Sequence, residues 1–246
     1  MNDKHKKDDQ DLLNLILKTY RDNDKNYGYR RITIALRNLG HLINHKRVRR
    51  LMSVLGIKGV IRRRRYKSYT GEVGKIGDNI LNREFISGVL GEKLVTDITE
   101  FNIAGRKIYL SPLIDLSNKE VISYTIGMAP TTKMVIEMLE AGKYRFKKGT
   151  IIHSDQGTQY QSIGYQKYLR DNKITLSMSR RGNCYDNSLA ENFFSHVKTE
   201  FFYKYKFKTI KEFTIRLRKY IKYYNEVRIV TKLKMSPVQY REHCLI

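Results

Sequence analysis

At 246 residues the chain exceeds the roughly 150 that serve as a soft prior per domain, so one large domain or a large one with a small companion is allowed. Lysine and arginine total 48 against 24 acids, and the resulting formal charge of +24 points to a polyanionic partner. No apolar run approaches the roughly 18 residues needed to span a bilayer, no signal-peptide pattern follows Met1, and Cys184 and Cys244 lack the spacing of a zinc finger or disulfide framework, so a cytoplasmic protein with reduced thiols and no membrane partner is expected.

Charge is densest at the N-terminal end, where residues 1–75 hold 20 basic and 7 acidic side chains. Leu12, Leu13, Ile16, Leu17 and Tyr20 recur at helical spacing. A second helix fits 30–39, with Gly40 past its end, and a third starts after Asn44, a good N-cap, and stops at Gly56. This three-helix unit, assigned to residues 1–65, carries His45, Lys46, Arg47, Arg49 and Arg50 opposite its apolar face. Arg30, Arg31 and the arginines at 62–65 bracket it. A solvated face is the bland reading, but the flanking cations favour DNA phosphate. Residues 66–90, with Gly71, Gly74 and Gly77, read as a linker.

A change of period marks the next region, 91–205. Strands are expected over 93–102, 107–116 and 121–128, then a helix over 132–145, a strand over 150–153, a helix over 160–171, a strand over 173–178 and a polar loop over 179–186. Helices follow over 188–202 and 209–224, the last within a C-terminal helical extension, 206–246. Strands first, then alternation with helices, predicts a mixed α/β sheet covered by helices.

Three carboxylates stand out. Period-two alternation puts Asp97 on the face of Val95, Thr99 and Phe101, where an unpaired charge is costly. Asp155 closes a short apolar strand at the rim where open α/β sheets build their sites, although Asp before Gln156-Gly157 also suits a plain turn. Glu191 lies one turn into a helix, where Ser188-x-x-Glu191 also fits a capping box. One acid from a central strand, one from a neighbouring strand end and one from a packed helix can converge on Mg²⁺, and a pair of such ions serves in-line phosphoryl displacement.

The wording around these acids resembles the DDE transposases of the insertion-sequence-three family, specifically their second-frame catalytic protein. Thr96-Asp97-Ile98-Thr99-Glu100-Phe101, Tyr109-Leu110-Ser111-Pro112, His153-Ser154-Asp155-Gln156-Gly157, Met178-Ser179-Arg180-Arg181-Gly182-Asn183-Cys184 and Asp186-Asn187 before Glu191-Asn192-Phe193-Phe194 occur in order, and 35 residues separate Asp155 from Glu191. Tyr27-Gly28-Tyr29-Arg30-Arg31-Ile32 is similar to the family's helix-turn-helix-like segment, and Tyr223-Tyr224-Asn225 with Ser236-Pro237 to its C-terminal end.

The resemblance implies an RNase H-like five-stranded mixed sheet flanked by helices, with Asp97, Asp155 and Glu191 as catalytic metal ligands for Mg²⁺ or Mn²⁺. It implies hydrolysis of a phosphodiester at an element end and attack of the freed 3′-OH on target DNA. Lys198, seven residues and two helical turns beyond Glu191, is assigned to DNA phosphate, as are Arg180 and Arg181 in the basic loop. The implied partners are DNA ends and target, further copies on DNA and the family's first-frame product. Leu94 and Thr158 stand where related proteins often have Trp. The alternatives are a catalytically silent DNA-binding regulator and a plain metal-dependent nuclease; a tyrosine recombinase is disfavoured, because no Arg/His cluster surrounds a nucleophile.

Overall fold

The computed structural model describes residues 3–60, 78–81, 88–179 and 187–244. The arginines at 62–65, Arg180, Arg181 and most of the 66–90 linker lie outside the described residues. By contacts the chain divides into two compact units, residues 1–63 with 223–240, and residues 64–222 with 241–246.

The first unit contains helices α1 (Asp3–Asp22), α2 (Tyr29–Asn38) and α3 (His45–Val54). Their apolar stripes meet in a core of Ile16, Tyr27, Ile32, Leu36, Ile43, Val48, Leu51 and Met52. Asn44 caps α3 as expected, its side chain accepting from Lys46 N at 2.8 Å. Gly40 (φ 89°) ends α2 in the left-handed region, which lets His41 N reach back to Leu36 O at 3.0 Å; Gly56 (φ 64°) does the same for α3, with Ile57 N donating to Met52 O. Residues 223–240 belong to this unit through buried polar contacts: Tyr27 Oη accepts from Ile229 N at 2.7 Å, and Tyr223 Oη donates to Asn23 Oδ1 at 3.0 Å.

The second unit is built on a mixed sheet of β1 (Lys93–Thr96), β2 (Thr99–Ile103), β3 (Arg106–Asp115), β4 (Val121–Gly127), β5 (Ile151–Ser154) and β6 (Thr175–Met178). The single strand expected over 93–102 is two segments in one row. Both pair antiparallel with β3, and the register runs from Thr96 opposite Leu113 to Thr99 opposite Leu110 without a slip. The break falls at Asp97 and Ile98, and the residue this register sets opposite Asp97 is Pro112, which has no N–H for a ladder. Six strand segments thus form the five rows expected, β4, β3, β1 with β2, β5 and β6, the last two joined in parallel.

Helices α4 (Thr132–Gly142), α5 (Thr158–Gln161) and α6 (Ile163–Asp171) take their places between and after the strands. The helix expected over 160–171 is divided at Ser162, whose extended backbone ends α5 and whose hydroxyl caps α6 by accepting from Tyr165 N. Leu94, Leu113, Ile152 and Met178 pack with Val135, Met138, Leu139, Tyr160, Tyr165 and Leu169 to fill the sheet–helix core. Leu94 is fully buried there, whereas Thr158 is exposed at the start of α5. Alternation then turns Val95 and Asp97 to the other side of the sheet.

The chain continues through α7 (Ser188–His196), a wider π turn over Val197–Phe201 and a tight turn over Phe202–Lys204 to α8 (Ile210–Glu226), then α9 (Pro237–Cys244). The uninterrupted helix expected over 188–202 is therefore corrected to three pieces. Phe101, Phe201, Phe202, Phe207 and Phe213 stack around the π turn with ring centroids 5.1 to 6.4 Å apart, packing that favours locally altered helix geometry over an ideal spiral.

Candidate active site

Two of the three acids are brought together by sheet register alone. β1 and β5 run parallel with Leu94 beside Ile152 and Val95 beside His153, so Asp97 and Asp155, each two residues further on, leave adjacent strands at the same height. Neighbouring strands lie about 4.8 Å apart. Each aspartate uses Oδ1 to fix its own turn: Asp97 accepts from Ile98 N at 2.7 Å, and Asp155 accepts from Gly157 N at 2.9 Å.

Both carboxyls are half-buried, and both bind protons more tightly than an ordinary aspartate. Burial is the largest cause for Asp97, followed by the negative charges of Asp155 and Glu191, against which the Ile98 N–H and Lys198 push back. For Asp155 burial outweighs the Gly157 N–H. Repulsion reaching Asp97 from both other acids places all three in one electrostatic neighbourhood. Among the described residues, no group of three or more His, Cys, Asp or Glu side chains closes around a common point as a finished metal cage.

Glu191 arrives on α7, which packs against β1. The capping-box alternative does not describe this helix, because Ser188 is its first helical residue and Asn187 stands at the N-cap. Asn187 makes no side-chain cap; its Nδ2 donates to Thr96 O at 3.3 Å. Thr96 is fully buried, and its Oγ1 lies 3.4 Å from Tyr160 Oη on α5, just beyond Asp155.

Lys198 sits within the π turn, so its direction is not that of a residue two ideal turns from Glu191. Its ammonium stands 5.9 Å from the Phe101 ring centroid and interacts with Asp97 and Glu100. Burial lowers its proton affinity, and those two acids oppose the effect. One turn on from the end of α7, buried Glu200 accepts from Tyr220 Oη at 3.1 Å and lies 3.8 Å from His196 Nδ1, bracing the same segment.

The basic residues of the first unit form a separate group. Arg47 donates to Asp9 Oδ1 through Nε at 3.0 Å and Nη2 at 2.7 Å, and Arg50 donates to Asp9 Oδ2 at 2.7 Å. Arg30 and Arg49 stand 5.5 and 5.9 Å from the Tyr29 ring, Arg31 stands 5.5 Å from Tyr27, and Lys46 is exposed. Thr96, Tyr160 and Asn187 had no individual role in the sequence reading. The usable signal was Asn187 directly before a helix, a position where Asn ordinarily caps.

Residues 7–65 match the HTH-like domain family, and residues 90–184 and 191–245 match two families described as Integrase core domain. Over 234 residues the chain is 46% identical to the putative transposase InsK for insertion sequence element IS150 of Escherichia coli (strain K12), covering 94% of this chain and 83% of that protein. The chain belongs to the insertion-sequence-three family of DDE transposases.

An uncharacterized transposase-like protein of Haemophilus influenzae (strain ATCC 51907 / DSM 11121 / KW20 / Rd) is 48% identical over 205 residues, covering 82% of this chain and 95% of that one. A chain in the structure of the simian T-cell lymphotropic virus intasome in complex with PP2A regulatory subunit B56 gamma superposes with a TM-score of 0.54 at 16% identity, over 92% of this transposase and 73% of that chain. At that identity the likeness concerns fold alone, and it agrees with the RNase H-like sheet expected from the sequence. Among the described residues of the transposase, no helix is long and apolar enough to cross a membrane.

Proposed function

We propose that Asp97, Asp155 and Glu191 are the catalytic acids of this transposase and hold two divalent ions, Mg²⁺ or Mn²⁺, during cleavage and joining of DNA. The carrying observation is the parallel register that sets Asp97 beside Asp155 with the proton affinity of both raised. Two hard carboxylates that resist ionising together, with a third acid contributing repulsion, form a donor set that a small divalent cation relieves. Such an ion supplies a lowered pKa for an attacking water and positive charge for the phosphate oxygens.

The residues of the chain perform the rest. Asp97, Asp155 and Glu191 would hold the ions through which the reacting phosphodiester is fixed at the strand ends, and Lys198 pairs with a non-bridging phosphate oxygen. Water attacks phosphorus at the element end, the bond to the 3′ oxygen breaks, and that oxygen leaves as a 3′-OH. In the second displacement this 3′-OH attacks a target phosphodiester, forming one ester bond as another breaks. Arg30, Arg31, Lys46, Arg47, Arg49 and Arg50 contact phosphate from the first unit, and Arg180 and Arg181 bind DNA as well. The working form is a homo-oligomer on element ends and target, joined by the family's first-frame segment, in the nucleoid of a bacterial cytoplasm.

The deciding experiment is Asp155→Asn, assayed for Mg²⁺-dependent cleavage and strand joining beside DNA binding. Cleavage and joining should both vanish with binding retained. Cleavage without joining in the parent protein would establish a plain nuclease, and unchanged cleavage in the variant would remove Asp155 from the site.

A further inference from the structure

We infer that Asn187 is a positioning residue that sets Glu191 against Asp97 and thereby tunes how tightly the acid cluster holds a divalent cation; the inference rests on the metal site proposed above. An asparagine at a helix N-cap ordinarily turns its side-chain oxygen to the first helical N–H groups. Asn187 occupies that position and makes no such bond. Its amide instead reaches a residue 91 positions away, donating Nδ2 to the carbonyl of Thr96 at 3.3 Å. Thr96 immediately precedes Asp97, and Asn187 lies one helical turn before Glu191.

The side chain is only 4% exposed, and Oδ1 is buried without a hydrogen-bond partner among the described residues. A buried orphan acceptor is unfavourable and is found where something other than stability selects the residue. Thr96 is also approached by Tyr160 Oη at 3.4 Å, from the helix that follows Asp155. The segments carrying all three acids therefore meet at one threonine. Asn187 links the helix to that point, and Tyr160 stands at the same point beside the second aspartate. Breaking the Asn187 bond leaves each acid in place on its own element but releases the separation between the helix and β1. Residues that orient ligands from outside change metal affinity about 10- to 100-fold.

Asn187→Asp keeps the shape, loses the N–H donors when ionised and adds a negative charge. In the full-length chain, Mn²⁺ binding followed by electron paramagnetic resonance in mildly alkaline buffer should weaken about tenfold or more for Asn187→Asp and Asn187→Ala alike. Tyr160→Phe should weaken it less, given the longer contact. Thermal unfolding without metal and DNA binding report on folding, and Asn187→Ser provides a second, smaller donor if the alanine variant is unstable. Tighter or unchanged Mn²⁺ binding in folded Asn187→Asp overturns the positioning role, because an added charge would then be the only effect. Asp155→Asn measured alongside separates the two readings: if it too leaves Mn²⁺ binding intact, the metal site itself fails, whereas loss there with no change at Asn187 removes this inference alone.

Discussion

Asp9 in the first unit and Asp97 in the second are aspartates handled in opposite ways. Asp9 receives three hydrogen bonds from Arg47 and Arg50, which lower its proton affinity. Asp97 receives one from its own backbone neighbour, and burial first, then the charges of Asp155 and Glu191, raise its proton affinity well above the ordinary range. An acid surrounded by cations in a chain of charge +24 is the expected outcome of composition. Acids gathered together in such a chain are not, and under the proposed function that contrast separates a region whose charge serves binding from one whose charge serves chemistry.

The largest test removes the repulsion at its centre. Asp97→Asn should reduce metal-dependent strand cleavage by about 10³-fold or more, as loss of one member of a catalytic unit does, with DNA binding unchanged. The same substitution should stabilise the metal-free chain at neutral pH, by about 2 °C or more in melting temperature. Folded Asp97 keeps its proton at pH values where the unfolded chain has lost it, so its contribution to stability is full below the ordinary carboxylate pKa and is lost as pH rises through the raised value. Asp9 has the opposite sign: its contribution is present above the ordinary pKa and is lost as pH falls through the lowered one. Melting curves across the acid range for Asp97→Asn and Asp9→Asn should therefore diverge from the parent in opposite directions; parallel curves would erase the contrast.

Lys198 offers an intermediate test because among the described residues it is a cation that reaches Asp97. Lys198→Ala should lower cleavage about 10²-fold, the scale on which a charge-stabilising donor acts, and should raise the pH at which Mn²⁺ first binds, because Asp97 loses the charge that favours its ionised form. A variant with normal cleavage and an unshifted binding profile would place Lys198 outside the site.

Much of this arrangement was legible from local pattern, and the exceptions share a cause. Alternation in β1 and the apolar Ile151-Ile152 before Asp155 locate two acids because strand periodicity is a property of neighbours. The interruption at Asp97 depends on Pro112 lying opposite, and the π turn depends on phenylalanines from three segments, so neither has a signature within its own window. The same holds for Asn187, whose partner is 91 residues away. The basic face of α3 was read correctly as a helix face, yet Asp9, 38 residues before Arg47, could not be paired with it from spacing. Arg180 and Arg181, expected beside the acids, fall outside the described residues.

Asp9 yields the smallest effect and the one most specific to the first unit. Its carboxylate occupies Arg47 through one oxygen and Arg50 through the other, with charge-assisted bonds of the kind that guanidinium groups also give a phosphate. If those arginines contact DNA, Asp9 competes with the phosphate backbone, and Asp9→Asn removes the competing charge while keeping the side chain's size. Exposed ion pairs contribute about 0.2–1 kcal/mol, so DNA affinity should rise about two- to fivefold at low salt. The dependence of log K on log salt should steepen by about 1 to 2, one for each arginine released to a phosphate. The two measurements discriminate: a general gain in positive charge raises affinity with little change of slope, whereas release of two bound guanidinium groups changes both. Weaker DNA binding by a folded Asp9→Asn chain would instead make Asp9 the residue that holds the arginines in their working geometry.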